Sequence, residues 1–225
     1  MALRFAREGA RVAFTWSRHD ADAEEAAALI GRAGSQPLMF KGSVADAAHV
    51  DKTVRAVNDA WGGIDVLVNN AGTNQVLPLA LLEEADWDAM MAVNVKGPYL
   101  FSRAVLRGMI RERSGAVLNI GAFTSERVVE ASVHFAAAKS ALRGFTEALA
   151  REVGRYNIRV NLLAPGLMDA GLGRMLPQHR IKGYISQAAL GRVGTTEEMA
   201  EAALFLVSPG SGFISGAKLA MDGGL

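Results

Sequence analysis

The chain has 225 residues, half of them hydrophobic, and 24 glycines, which is enough apolar material for one well-buried core; no Pro/Ser-rich linker divides it, so a single domain over 1–225 is expected. A formal net charge of +1 from mixed Lys/Arg and Asp/Glu, without a basic run, gives no reason to expect nucleic acid or an anionic membrane as a partner. Zero cysteines exclude a disulfide framework and thiolate metal sites; with no signal peptide and no apolar run of roughly 20 residues to span a membrane, a soluble cytoplasmic protein is the expectation.

Taken in order, Met1 to Glu8 reads as the end of an amphipathic helix, with Leu3, Phe5 and Ala6 apolar, closed by Gly9 before a strand over Ala10 to Trp16. Ser17-Arg18-His19 follows, then a helix from Ala21 to Arg32 and a strand from Pro37 to Phe40 that runs into Gly42-Ser43-Val44. A helix over Ala47 to Trp61 precedes Ile64 to Val68, whose near-continuous apolar run suits a parallel strand covered on both faces; it ends in Asn69-Asn70-Ala71-Gly72. A long helix is expected from Glu84 to Arg113. Within it Pro98 has no N–H, so the carbonyl of Asn94 loses its helical partner.

The strand Ala116 to Ile120 leads through Gly121-Ala122-Phe123-Thr124-Ser125 to a small-residue helix holding His134, Phe135 and Lys139, then Ser140, Ala141 and Gly144. Ile158 to Leu163 reads as a strand ending near Pro165-Gly166, and Met168 to Ala189 as a Met- and Leu-rich covering segment. A helix over Glu197 to Val207 and a last strand over Ala217 to Met221 close at Asp222-Gly223-Gly224. Strands alternating with helices predict an α/β fold: a Rossmann-like doubly wound parallel sheet in three layers.

Asn69-Asn70-Ala71-Gly72, Asn94, Lys139 in its small-residue helix, Asn161 through Pro165-Gly166, and Asp222-Gly223-Gly224, in this order over nearly the whole chain, resemble the short-chain dehydrogenase/reductase family, particularly its β-ketoacyl-ACP-reductase-like members. In that family a Ser, a Tyr and a Lys act together, the Lys four residues after the Tyr and the Ser thirteen before it. With Lys139 as the Lys, the Tyr position is Phe135 and the Ser position Ala122. The resemblance implies that the Tyr, acidified by the Lys cation, exchanges a proton while the cofactor moves a hydride, and that the Ser holds the substrate oxygen. Phe135 cannot ionise and Ala122 cannot donate, which costs about 10²–10⁴-fold and a further 10²–10³-fold or so in rate. His134, with Glu126 or Asp169 as partners, is a possible substitute, but it is expected to be partly exposed and turned about 100° from the face that Phe135 and Lys139 share.

The resemblance also implies NADP(H), if any dinucleotide, with Arg18 near a 2′-phosphate, Ser43 in the place of an adenine-binding Asp, and Asn70, Ala71, Gly72, Lys139, Pro165 and Gly166 along the cleft. A solvated surface arginine is the other reading of Arg18. The Thr expected at the fifth place after Pro165 is Ala170, which removes a cofactor contact. Asn94 would begin a water-mediated proton relay to Lys139, while a tolerated kink in a packed helix needs the same geometry. The family's first strand and its Gly-rich turn, whose N–H groups and helix N-terminus hold a pyrophosphate, have no counterpart in the sequence. Burying about five aliphatic side chains of such a strand contributes roughly 8–15 kcal/mol, as much as the net stability of a whole domain, about 5–15 kcal/mol. A start at an internal Met is therefore expected, against a real truncation rescued by a partner or by repacking.

The helices holding Asn94 and Lys139 build the family's main subunit interface, which implies a homodimer or homotetramer. The sequence favours a degenerate reductase that acts by assembly with an active relative or by binding a small apolar or acyl ligand. The alternatives are an NADP(H)-dependent carbonyl or 3-oxoacyl reductase with an unorthodox proton donor and, further off, cofactor-free chemistry on a bound acyl ligand.

Overall fold

A computed structural model describes residues 1–127 and 131–225, positions 174 and 175 by backbone alone. Its elements are α1 (Ala2–Arg7), β1 (Ala13–Trp16), α2 (Asp20–Arg32), β2 (Leu38–Lys41), α3 (Ala47–Trp61), β3 (Val66–Asn69), α4 (Glu84–Met91), α5 (Gly97–Glu112), β4 (Gly115–Ile120), α6 (Val133–Val153), β5 (Ile158–Pro165), α7 (Gln178–Gln187), α8 (Thr196–Val207) and β6 (Lys218–Met221). Local chemistry sets several boundaries. The Asp46 side chain accepts the Ala48 N–H at the start of α3, and Gly62, at φ 83, closes its end in the left-handed region. Thr195 and Glu198 form a reciprocal capping box on α8.

Every strand pairing is parallel, as helical crossovers require. The strands fall into two groups, a pair β1–β2 and a four-stranded sheet in the order β3-β4-β5-β6. This is the Rossmann-like α/β architecture, with helices on both faces. Val117 and Val160 pack with Val54, Phe101, Val105 and Leu149 on one face; Leu118, Ile120 and Leu163 pack with Ala203 and Leu206 of α8 and with Phe5 of α1 on the other. Burial on both faces explains why β4 and β5 are mostly apolar, broken only by Asn119 in β4 and by Arg159 and Asn161 in β5.

Between β1 and β3 no strand intervenes among the described residues, and the two edges border one slot of about 520 Å³. Two expected strands begin later than their apolar runs: β1 at Ala13 rather than Ala10, and β3 at Val66 rather than Ile64. A strand starts where a neighbour pairs with it: β2 begins opposite Ala13, and the paired register of β4 with β3 begins at Ala116 opposite Val66.

Candidate active site

The site lies at the carboxyl ends of β3, β4 and β5. Ile120 ends β4, and the chain turns through extended Ala122 into a 3₁₀ turn over Phe123–Ser125. Helix α6 then passes beneath it and presents Phe135 and Lys139 one turn apart on one face. Lys139 is only 4 % exposed. Its Nζ donates to the Ile120 carbonyl at 2.8 Å and sits 5.8 Å from the centre of the Phe135 ring. With no carboxylate paired to it among the described residues, burial lowers its pKa to about 8.

The places where a phenol and an alcohol were expected hold carbon. Ala122 and Phe135 are both buried and pack with Met90 and Ala138, flanked by Val95 and Leu172. Ala122 and Phe135 thus share one apolar cluster, with the Lys139 ammonium beside the Phe135 ring.

Asn94 joins them from the other side. Pro98 has no N–H to offer its carbonyl, and the helix responds with a π-helical turn over Ala92–Lys96 that links α4 to α5 without a break. The fully buried Asn94 amide donates to Thr73 O at 3.0 Å and to Met90 O at 3.1 Å. Gly72 closes the cluster: a β-carbon there would lie 3.0 Å from Asn94 Oδ1 and 3.6 Å from Lys139 Nζ, so this turn approaches only because the residue has no side chain.

Behind the site runs a buried polar chain. Asn69 Nδ2 donates to Asn119 Oδ1 at 2.8 Å, Asn119 Nδ2 to Thr146 Oγ1 at 2.9 Å, and Thr146 Oγ1 to Leu142 O at 2.8 Å. It ties β3 to β4 and β4 to α6, and so fixes the helix that carries Lys139. The reading of the sequence passed over Asn119 and Thr146. The signal was there, an asparagine inside the otherwise apolar strand Val117-Leu118-Asn119-Ile120, since a buried amide must find partners.

The expectation for His134 needs correction. Its side chain is wholly buried, and neither ring nitrogen has a hydrogen-bond partner. Burial lowers its pKa against the opposing pull of Asp86, so the ring is neutral. Neither expected partner reaches it: Glu126 takes the Ser125 hydroxyl at 3.2 Å, and Asp169 takes the Thr196 N–H at 3.1 Å.

The residues expected along a dinucleotide also lie at strand ends, where open α/β sheets bind ligands. Arg18 after β1, Ser43 after β2, and Asn70 and Ala71 after β3 are exposed. Ser43 Oγ accepts the Ala45 N–H at 3.2 Å, which engages part of the capacity expected for an adenine. Pro165 is buried, and against Gly166 lies Tyr184, whose hydroxyl donates to Asp222 O at 2.6 Å and whose ring meets Phe123 edge-on. Burial would raise the Asp222 carboxyl, but Arg127 and the N–H groups of Gly224 and Leu225 hold it below its usual range. The nicotinamide-ribose half of a dinucleotide fits these residues, because Lys139 uses one hydrogen bond of three and its remaining N–H groups suit ribose hydroxyls. For the pyrophosphate half, no Gly-rich turn feeding a helix N-terminus occurs among the described residues.

A parallel α/β sheet that gathers Asn, Lys and a Pro-Gly turn at its strand ends defines a homologue of the dinucleotide-dependent oxidoreductases. The family model described as Enoyl-(Acyl carrier protein) reductase matches residues 1–225, and the chain belongs to the short-chain dehydrogenase/reductase family. It is 36 % identical to the 3-oxoacyl-[acyl-carrier-protein] reductase FabG of Chlamydia trachomatis over 100 % of this chain and 91 % of the relative. It is 37 % identical to the (2S)-[(R)-hydroxy(phenyl)methyl]succinyl-CoA dehydrogenase subunit BbsD of Thauera aromatica over 99 % of this chain and 89 % of that one. Among solved structures, a putative short-chain alcohol dehydrogenase of Sinorhizobium meliloti superposes with a TM-score of 0.92 at 32 % identity, covering 99 % of this chain and 88 % of the other. A double-phenylalanine mutant of the Serratia marcescens short-chain dehydrogenase/reductase also gives 0.92, at 35 % identity and 99 % and 90 % coverage.

Proposed function

We propose that this chain is a degenerate 3-oxoacyl-reductase-like protein that binds NADP(H), if any dinucleotide, with an apolar or acyl ligand and has lost the proton-transfer half of ketone reduction. One observation carries the reading: around the buried ammonium of Lys139, the two positions that should present hydroxyls, Ala122 and Phe135, present an apolar cluster instead. When bound, NADP(H) would supply a hydride. Lys139, Asn70, Ala71, Gly72, Pro165 and Gly166 would border its nicotinamide-ribose end, with Arg18 and Ser43 toward the adenosine. Without the hydroxyls expected at Phe135 and Ala122, a developing alkoxide loses the family's donor pair, and with Lys139 given to the ribose this leaves binding as the function, exercised in a homodimer or homotetramer or with an active relative.

The test is a gain of function. Phe135→Tyr with Ala122→Ser, assayed with NADPH and a 3-oxoacyl thioester, should raise turnover by at least about 10²–10⁴-fold over the parent chain, the share of the general acid alone. A parent that already turns over at the rate of an active reductase overturns the reading.

A second reading, a reductase with an unorthodox donor, has one observation in its favour. The buried Thr124 hydroxyl, two residues beyond Ala122, and the His134 imidazole have no partner, whereas the Tyr184 phenol is engaged by Asp222 O. If the parent chain is active, loss of turnover in Thr124→Val or His134→Leu identifies the donor.

A further inference from the structure

We infer that the Lys139 amine is a covalent site for a small apolar aldehyde or ketone, which it captures as an imine when no dinucleotide lies on it. The inference goes beyond the reading above, which gives the same nitrogen to a ribose. It rests on a space beside Nζ and on what surrounds that space. A carbon atom at the β-position of Gly72 would lie 3.6 Å from Lys139 Nζ, 3.0 Å from Asn94 Oδ1 and 3.9 Å from Asn70 O. Apart from Gly72 and its chain neighbours, every other heavy atom is further off. The roughly 3–3.5 Å from which an amine attacks a carbonyl carbon lies within a few tenths of an ångström of that point. Asn70 and Ala71 are exposed, so the way in is from the open strand ends.

The groups around Nζ are electron-rich. Ile120 O at 2.8 Å, Asn94 Oδ1 and Asn70 O all accept hydrogen bonds, and the Phe135 ring lies 5.8 Å away. Such a lining favours a nitrogen cation and gives an oxyanion nothing, so it suits an iminium better than the alkoxide of a ketone reduction. The Ile120 carbonyl holds one N–H, which leaves the lone pair of the neutral amine directed away from it. Burial makes that neutral form available near pH 8, as in lysines that form Schiff bases. Val95 and Leu172, partly buried against Ala122 and Phe135, supply hydrocarbon for the tail. In the reaction, the Nζ lone pair bonds to the carbonyl carbon as the C=O π pair moves to oxygen, and a proton passes from nitrogen to that oxygen. The carbinolamine then loses its oxygen as water, which carries off the second amine hydrogen, while the nitrogen pair closes C=N. One amine and one carbonyl give one imine and one water without change of oxidation state, and a solvent proton converts the imine to the iminium.

The test exposes the full 225-residue chain briefly to hexanal with cyanoborohydride at pH 7, which reduces any imine to a stable secondary amine, and maps the label by peptide mass. Lys139 should take at least about tenfold more label than each of the other five lysines, whose amines stay protonated at that pH. Its labelling rate should rise with pH to a midpoint near 8. Glyoxylate, an aldehyde with a charged tail, should label Lys139 at least about tenfold less than hexanal does when both are scaled to the other lysines. Gly72→Ala, which fills the space, should cut the label at Lys139 by at least about tenfold and leave the other lysines unchanged. Even labelling of all lysines, a midpoint near 10, equal labelling by glyoxylate, or a folded Gly72→Ala chain labelled like the parent overturns the inference. Suppression of the Lys139 label by NADPH supports both this inference and the cofactor reading, whereas label unchanged by NADPH supports this inference and removes Lys139 as a ribose ligand.

Discussion

At Lys139 a cation is buried with one carbonyl for company, and the consequence is a stability that depends on alkaline pH. Its pKa of about 8 lies below the ordinary 10.5, so between these values the unfolded chain holds more protons than the folded one. Stability therefore rises as pH increases from 8 to 10.5, by about 3 kcal/mol over the full interval, and below pH 8 the whole burden is felt. Lys139→Met should be the more stable chain at pH 7 by up to about 2 kcal/mol, after the lost hydrogen bond to Ile120 is deducted. The gap should close by pH 10.5, as read from urea midpoints; a gap that does not change with pH contradicts the burial account. His134 acts at the other end of the scale. Its lowered pKa makes the unfolded state the better proton acceptor as pH falls below about 6.5, so stability declines through that range toward the folded pKa. His134→Leu removes two buried unpartnered nitrogens and should add about 1–2 kcal/mol at pH 7 and flatten the acid limb of the stability curve.

Among the elements, what the sequence revealed and what it hid have separate physical causes. Helices α3 and α8 were legible because an apolar stripe at helical spacing coincides with a cap at one end. The response to Pro98 was legible only in part: a missing N–H announces a carbonyl in need, but whether the helix breaks or widens depends on packing from both sides, and here it widens into a π-helical turn. The path of Phe123–Ser125 and the burial of His134 were out of reach, because each depends on what α4 and α7 place against it. The same packing gives a test at Gly97. A β-carbon there would lie 2.8 Å from Val44 Cγ2, and a valine side chain has little rotamer freedom to retreat. Gly97→Ala should cost about 1–3 kcal/mol despite the better helix propensity of alanine, and a Val44→Ala background should recover most of it. A Gly97→Ala chain as stable as the parent would show that the contact gives way.

For the whole molecule, Ala122, Phe135 and Lys139 were singled out by resemblance to the family's Ser, Tyr and Lys positions, and a strand, a turn and one helix carry all three. The lack of a strand pattern before α1 was legible in the sequence, which predicted one doubly wound sheet; the gap between β1 and β3 was visible only in the structure. The two parts also differ in support. The β1–β2 pair is a ladder of four residues on each side, while β3 to β6 share a continuous core covered on both faces. Heating should therefore give two calorimetric transitions, the smaller and earlier one belonging to β1, α2 and β2, and a single sharp transition would contradict the division.

Lys41, the last residue of β2, is solvent-exposed and held by Asp20 at 2.6 Å across the same small unit. When that unit loosens, the bond after Lys41 becomes a substrate for trypsin while the remainder of the polypeptide is still folded. Digestion under native conditions should then leave a long-lived fragment beginning at Gly42, a nick whose rate reports how often the thin side of the molecule comes apart.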